Sequence, residues 1–273
     1  MKLINKLTVL FLICGVALGQ QTTPEPFKPT VGQAGKDVVW VPTPQGTVDK
    51  MLEVAKVTPE DYVIDLGSGD GRNVITAARL GARALGVEWN QDMVDLSKRL
   101  AAEAGVSAKA QFLQGDMYAA DISQASVMAL FLLVENMQKL MPKFLALRPG
   151  SRIVSNTFGF GDQGWEPDST ETLRDCSSWC TIHLWIVPAD VAGSWQLPQG
   201  TLTLTQKFQN VTGTLGAAAI SNGKLRGNEL SFTVNQTPYV ARVNGEVMEE
   251  NSSSPRWRAT RTSRPAAAAA QQR

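Results

Sequence analysis

The sequence predicts an α/β fold: a mostly parallel sheet with helices on both faces, followed by a small antiparallel all-β domain. Three observations carry that expectation. Between residues 38 and 157, short buried runs of strand-forming residues alternate with segments of helical apolar spacing. A glycine-rich turn, Gly67-Ser68-Gly69-Asp70-Gly71, joins one of those runs to a helix. Beyond Gly193 the helical spacing stops, and β-prone runs separated by glycine and asparagine take over.

The elements follow in order. Val48, Met51, Leu52 and Ala55 recur at helical spacing, and 62–66 reads as a buried strand that the glycine turn links to a helix through Leu80. Strands are expected at 84–88 and 110–114 with a helix at 91–104 between them, then a strand at 126–132, a helix at 134–147 and a strand at 152–157. Such alternation requires right-handed crossovers, which lay helices on both faces of a parallel sheet. Residues 181–187 are expected to complete the sheet as an antiparallel strand, with His183 packed in it. The β-domain is expected as a meander of runs 201–211, 213–220, 224–234, 239–248 and 257–262. Its turns are expected at Ser221-Asn222-Gly223 and Val243-Asn244-Gly245, and its core at Trp195, Leu202, Leu204 and Trp257.

The ends of the chain read differently. Lys2 and Lys6 precede an apolar run over 7–19 that closes on Ala17-Leu18-Gly19, the pattern of a secretory signal. The run falls short of the roughly 20 apolar residues that span a bilayer. Cys14 follows Phe11-Leu12-Ile13, which lacks the small residue a lipoprotein site needs, so cleavage after Gly19 is expected. The expected organisation is a signal peptide at 1–19, a proline-containing linker at 20–35, the α/β domain at 36–192, the β-domain at 193–262 and a disordered tail at 263–273. The mature protein is then exported, periplasmic or extracellular, without an integral membrane segment.

Composition narrows the function further. With 43% hydrophobic residues in 273, the chain has material for a sizeable core. Lysine plus arginine (26) balances aspartate plus glutamate (25), and no basic cluster stands out, so nucleic acid is not an expected partner. Cys176 and Cys180 have three residues between them: a disulfide if the segment turns so that the Cα atoms come within about 7 Å, otherwise two packed thiols. With His183 they lack a fourth ligand and a zinc-site spacing, so no metal is expected.

The chemistry gathers at strand ends. Asp65 closes the strand before the glycine turn, Glu88 closes the next, and Asp116 follows the third in Gly115-Asp116-Met117. Glycines there let backbone approach a ligand closely, and carboxylates at the carboxyl ends of parallel strands lie where open α/β sheets bind ligands. Glu88 suits a pair of ribose hydroxyls, and Asp116 the amino group of an adenine.

Residues 63–71, Val87-Glu88 and Gly115-Asp116-Met117 resemble the first three motifs of class I, Rossmann-like S-adenosylmethionine (SAM) dependent methyltransferases. The Gly-x-Gly-x-x-Gly loop of dinucleotide oxidoreductases fits less well, because here an acidic residue precedes alternating glycines and the loop ends in Asp70-Gly71. The resemblance implies SAM as cofactor, bound by Asp65, Gly67, Ser68, Gly69, Asp70, Gly71, Glu88, Asp116 and Met117. Gly67 and Gly69 would line the methionine portion, Asp65 and Asp70 would orient its amino group, and Met117 would contact the adenine. Val41-Pro42-Thr43-Pro44, taken with the 65–72 loop, is similar to a bacterial group related to lysine N-methyltransferases of the ATP synthase c-subunit type, over roughly residues 38–168. That likeness implies a protein lysine as methyl acceptor. Thr43 either lines the active site or caps the helix that follows. The pattern names no catalytic residue, since methyl transfer is an in-line displacement in which positioning supplies much of the rate; an amine nucleophile still has to be deprotonated, and the base is left open among the carboxylates and Tyr118. The alternative is an exported binding protein in which the α/β domain has lost turnover and the β-domain makes the interaction.

Overall fold

The structure, a computed structural model, describes residues 27–174, 176–253 and 256–265. The expected signal segment, the start of the linker and most of the tail lie outside the described residues. No helix among those described is long and apolar enough to cross a membrane.

Two bodies follow each other along the chain. The first begins with α1 (Gln45–Val54), then β1 (Tyr62–Leu66), α2 (Arg72–Arg79), β2 (Arg83–Glu88), α3 (Gln91–Glu103), β3 (Ala110–Gln114), β4 (Val127–Leu130), α4 (Val134–Leu145) and β5 (Arg152–Asn156). After a short 3-10 turn come β6 (Ser169–Thr172) and β7 (Thr181–Ile186). The sheet order is β3-β2-β1-β4-β5-β7-β6. Strands β1 to β5 are parallel, and β7 runs antiparallel to both β5 and β6. Because both faces are covered, the central strands are apolar almost throughout: Val63, Ile64 and Leu66 of β1 and all four residues of β4 are buried. The chain order reverses between β1 and β4, and the carboxyl ends of the strands open there into a cleft, as the switch-point rule requires.

The second body, expected as an antiparallel meander, closes into an eight-stranded barrel. Its strands are β8 (Gly193–Leu197), β9 (Gly200–Lys207), β10 (Asn210–Leu215), β11 (Ala218–Arg226), β12 (Glu229–Val234), β13 (Thr237–Asn244), β14 (Val247–Glu250) and β15 (Arg258–Ser263). Consecutive strands pair antiparallel, and β15 returns to β8, which closes the edge. The Asn222-Gly223 pair does not turn the chain. It sits inside β11 at a register shift against both neighbours, so it acts as a bulge. Phe208 and Gln209 turn the chain instead, within the expected run 201–211, and Asn235 and Gln236, both at positive φ, turn the hairpin between β12 and β13. Trp195, Leu202, Leu204 and Trp257 are buried inside the barrel.

The two bodies are packed against each other. The Trp165 ring of the first stacks on Phe208 of the second, centroids 5.7 Å apart and planes 8° apart. Phe160 and Trp185 extend that aromatic column into the α/β core. Gln209, almost fully buried, donates to the Glu166 carbonyl at 2.7 Å.

Candidate functional site

A cleft opens at the carboxyl ends of β1, β2 and β3. Asp65, Gly67, Ser68, Gly69, Asp70, Glu88, Asp116 and Met117 all line it. Gly71 does not: it caps α2 in the left-handed conformation, and a Cβ there would lie 2.6 Å from Phe112 and 2.9 Å from Ser97. Its glycine is required by packing behind the cleft.

Each wall has a local origin. Gly67 and Gly69 take φ of 73° and 56°, which turns the chain sharply between β1 and α2 and leaves backbone at the cleft surface. The loop is tied to the neighbouring strand, since the Gly69 amide donates to one Glu88 oxygen at 3.0 Å and the Asn90 amide to the other at 2.9 Å. Glu88 is thereby fixed in orientation, with lone pairs left on both oxygens. Asp70 is held by Arg72, at 2.9 Å from Nε and 2.5 Å from Nη2, while Arg72 Nη1 also donates to the Thr43 carbonyl. Thr43 is buried on the cleft wall and makes no side-chain cap for α1.

Asp65 is the unusual member. It is buried, Asn73 donates to it at 3.0 Å, and among the described residues no cation pairs with it. Burial holds its carboxyl well above the usual carboxylate range; Asn73 opposes this, and the negative charges of Glu88 and Asp70 add to it. The Ser68 hydroxyl and Asn73 Oδ1, both on the cleft wall, are buried with no partner among the described residues. Buried polar atoms of this kind call for a ligand or water.

The other wall comes from residues 33–43, part of them within the expected linker. The Gly32 amide donates to the Trp40 carbonyl and the Trp40 amide to the Gln33 carbonyl, folding this segment back on itself. Trp40 lies over Gly69, where a Cβ would come 2.6 Å from the indole nitrogen. Lys36 reaches across to Asp116, Nζ to Oδ2 at 2.7 Å, and sits 4.5 Å over the Trp89 ring. That bond and the Tyr118 amide hold the Asp116 carboxyl below its usual range. The sequence pattern carries no signal for Lys36 or Trp40, because their segment has no periodicity.

The residues present fit an adenosyl-amino-acid ligand. A buried carboxyl without a cation, Asp65, suits an α-ammonium; Glu88 suits a diol; Asp116 beside Met117 suits an aminopurine; and the glycine turn admits the ligand's chain at close range. His183 stands apart, on β7 with Thr170 Oγ1 at 2.9 Å from its Nδ1. Burial lowers its pKa, against a backbone hydrogen bond to Thr157. Cys176 and Cys180 are joined in a disulfide, Cα atoms 5.6 Å apart.

Comparison with known proteins agrees with this geometry. A family model described as the ANTKMT methyltransferase domain matches residues 65–169. A protein-lysine N-methyltransferase of Saccharolobus islandicus is 38% identical over 153 residues, which cover 55% of this chain and 94% of that protein. The Rattus norvegicus lysine N-methyltransferase of the ATP synthase c-subunit is 32% identical over 164 residues, 59% of this chain and 74% of that protein. A solved structure described as an RNA methyltransferase from Salinibacter ruber, in complex with S-adenosyl-L-homocysteine, is 45% identical. It covers 55% of this chain and 96% of that one, with a TM-score of 0.52.

Proposed function

This chain belongs to the SAM-dependent methyltransferases that carry the ANTKMT methyltransferase domain, and on that premise we propose that its methyl acceptor is the side-chain amine of a protein lysine. It is an enzyme, and its cofactor is S-adenosyl-L-methionine. The binding-protein alternative finds no support among these relatives. The observation that carries the lysine reading is the match to nearly the whole length of a protein-lysine N-methyltransferase.

In this reading Asp65 and the Gly67-Ser68-Gly69 backbone hold the methionine end of the cofactor, Glu88 the ribose, and Asp116 with Met117 the adenine. When bound, SAM would supply a methyl group on a cationic sulfur, which would keep the electron pair of the broken carbon–sulfur bond, to a lysine nitrogen that has first lost its ammonium proton to solvent. The protein's part is orientation and exclusion of water, which Trp40 and the 33–43 wall provide over the cleft. Export belongs to the same proposal, supported by the Lys2, Lys6 and 7–19 pattern and by a disulfide suited to an oxidising compartment.

The test is to incubate the mature protein with tritium-methyl SAM and a lysine-rich protein, then hydrolyse. Labelled methyllysine is the expected product. Label that appears only when RNA is supplied, and that ribonuclease releases, overturns the lysine reading. Full-length protein confined to the cytosol on fractionation overturns export.

A further inference from the structure

Three aromatic rings from three different loops meet beside the cleft. Phe131 follows β4 and lines the cleft itself. Its ring stacks on Phe158, which follows β5, at 6.0 Å between centroids. Both touch Trp179, from the loop between β6 and β7, at 5.7 Å from Phe131 and 5.5 Å from Phe158. Phe131 and Phe158 are half-buried, while Trp179 is 39% exposed.

Trp179 stands in a position that costs free energy to maintain. A tryptophan at φ of 57° is in the left-handed region, which bulky side chains avoid, and its ring exposes apolar surface to water. The Cys176–Cys180 disulfide closes a loop of sequence separation 4 around it. Strain of this kind persists where the surroundings over-determine it, and such residues cluster at ligand clamps. The loop also lies beyond residue 169, where the family match ends, so Trp179 is not part of the matched domain.

We propose that Phe131, Phe158 and the disulfide-held Trp179 form the acceptor platform, on which the aliphatic stem and cationic head of the incoming lysine lie before transfer. The inference rests on the lysine reading above. The argument for this occupant is continuity: Phe131 belongs both to the cluster and to the cofactor cleft, so whatever lies on the cluster borders that cleft. A flexible alkyl ammonium fits such a surface, because its methylenes pack on ring faces and its charge is attracted to them. A platform of rings also tolerates one, two or three methyl groups on the nitrogen, which a site built from carboxylates would penalise by lost hydrogen bonds.

The experiment measures the acceptor KM with a lysine-containing peptide, and the binding of the same peptide by calorimetry with S-adenosylhomocysteine present. It uses Trp179→Ala, Trp179→Phe and Cys176→Ser/Cys180→Ser. Trp179→Ala is expected to raise the KM and the peptide Kd by roughly five- to thirtyfold. Trp179→Phe should retain most of the affinity, the double serine variant should fall between, and the affinity for S-adenosylhomocysteine should not change. The unchanged cofactor affinity also shows that the variants are folded. An unaltered peptide Kd in Trp179→Ala overturns the platform, as does a loss of cofactor affinity in step with it. No lysine methylation by the wild-type protein overturns the acceptor reading itself, and the platform with it.

Discussion

Lys36 and Asp116, eighty residues apart in sequence, are joined by an ion pair of 2.7 Å across the mouth of the cleft. The Lys36 ammonium therefore occupies part of the carboxylate that suits the adenine amino group, and it also lies over the Trp89 ring. Cofactor binding has to share or displace that contact. Lys36→Gln is expected to tighten S-adenosylhomocysteine binding a few-fold, and Asp116→Asn to weaken it. Added salt, which screens an exposed pair, should narrow the difference between Lys36→Gln and the wild type. Calorimetry at two salt concentrations checks all three; weaker binding by Lys36→Gln would show that Lys36 is a cofactor ligand.

Asp65 sets a pH dependence of definite sign. Its carboxyl is held well above its usual range by burial, whereas in the unfolded chain it ionises in the ordinary carboxylate range. Between those two ranges the folded protein keeps a proton that the unfolded chain has lost, so its contribution to stability falls as pH rises through the window. Asp65→Asn removes that fall. Thermal unfolding from about pH 4 to 8 should show the variant gaining on the wild type as pH rises. Its cofactor affinity should meanwhile drop tenfold or more, about 1.4 kcal/mol, for lack of a charge to meet the ammonium.

The Trp165–Phe208 stack predicts that the two bodies unfold together. Removing either ring leaves a cavity in a column that continues through Phe160 to Trp185. Phe208→Ala is expected to cost about 3–5 kcal/mol. Denaturant unfolding, followed by near-ultraviolet circular dichroism and by tryptophan fluorescence, should give one coincident transition in the wild type. Two separated transitions in the wild type would show that the barrel is energetically independent.

What the sequence makes legible is what local pattern determines. The β1–turn–α2 unit, Glu88 at the end of β2 and Asp116 after β3 are each readable from a few neighbouring residues, and the structure places them on one cleft. Closure of the barrel is not readable in that way, since β15 must find β8 across more than sixty residues and alternation alone does not name partners. Asn222-Gly223 carries a hairpin signal, yet the pairing of β11 on both sides absorbs it as a bulge. Lys36, Trp40 and Trp179 lie in irregular segments, where only tertiary contact gives a side chain its place.

Calorimetric titration of the mature protein with S-adenosylhomocysteine, wild type against Glu88→Ala, tests the central claim most directly. Glu88 is held by the Gly69 and Asn90 amides on the cleft wall. Saturable 1:1 binding that Glu88→Ala weakens by tenfold or more, about 1.4 kcal/mol, is the result the account predicts. Equal affinity in a folded Glu88→Ala protein would contradict it and place the cofactor elsewhere.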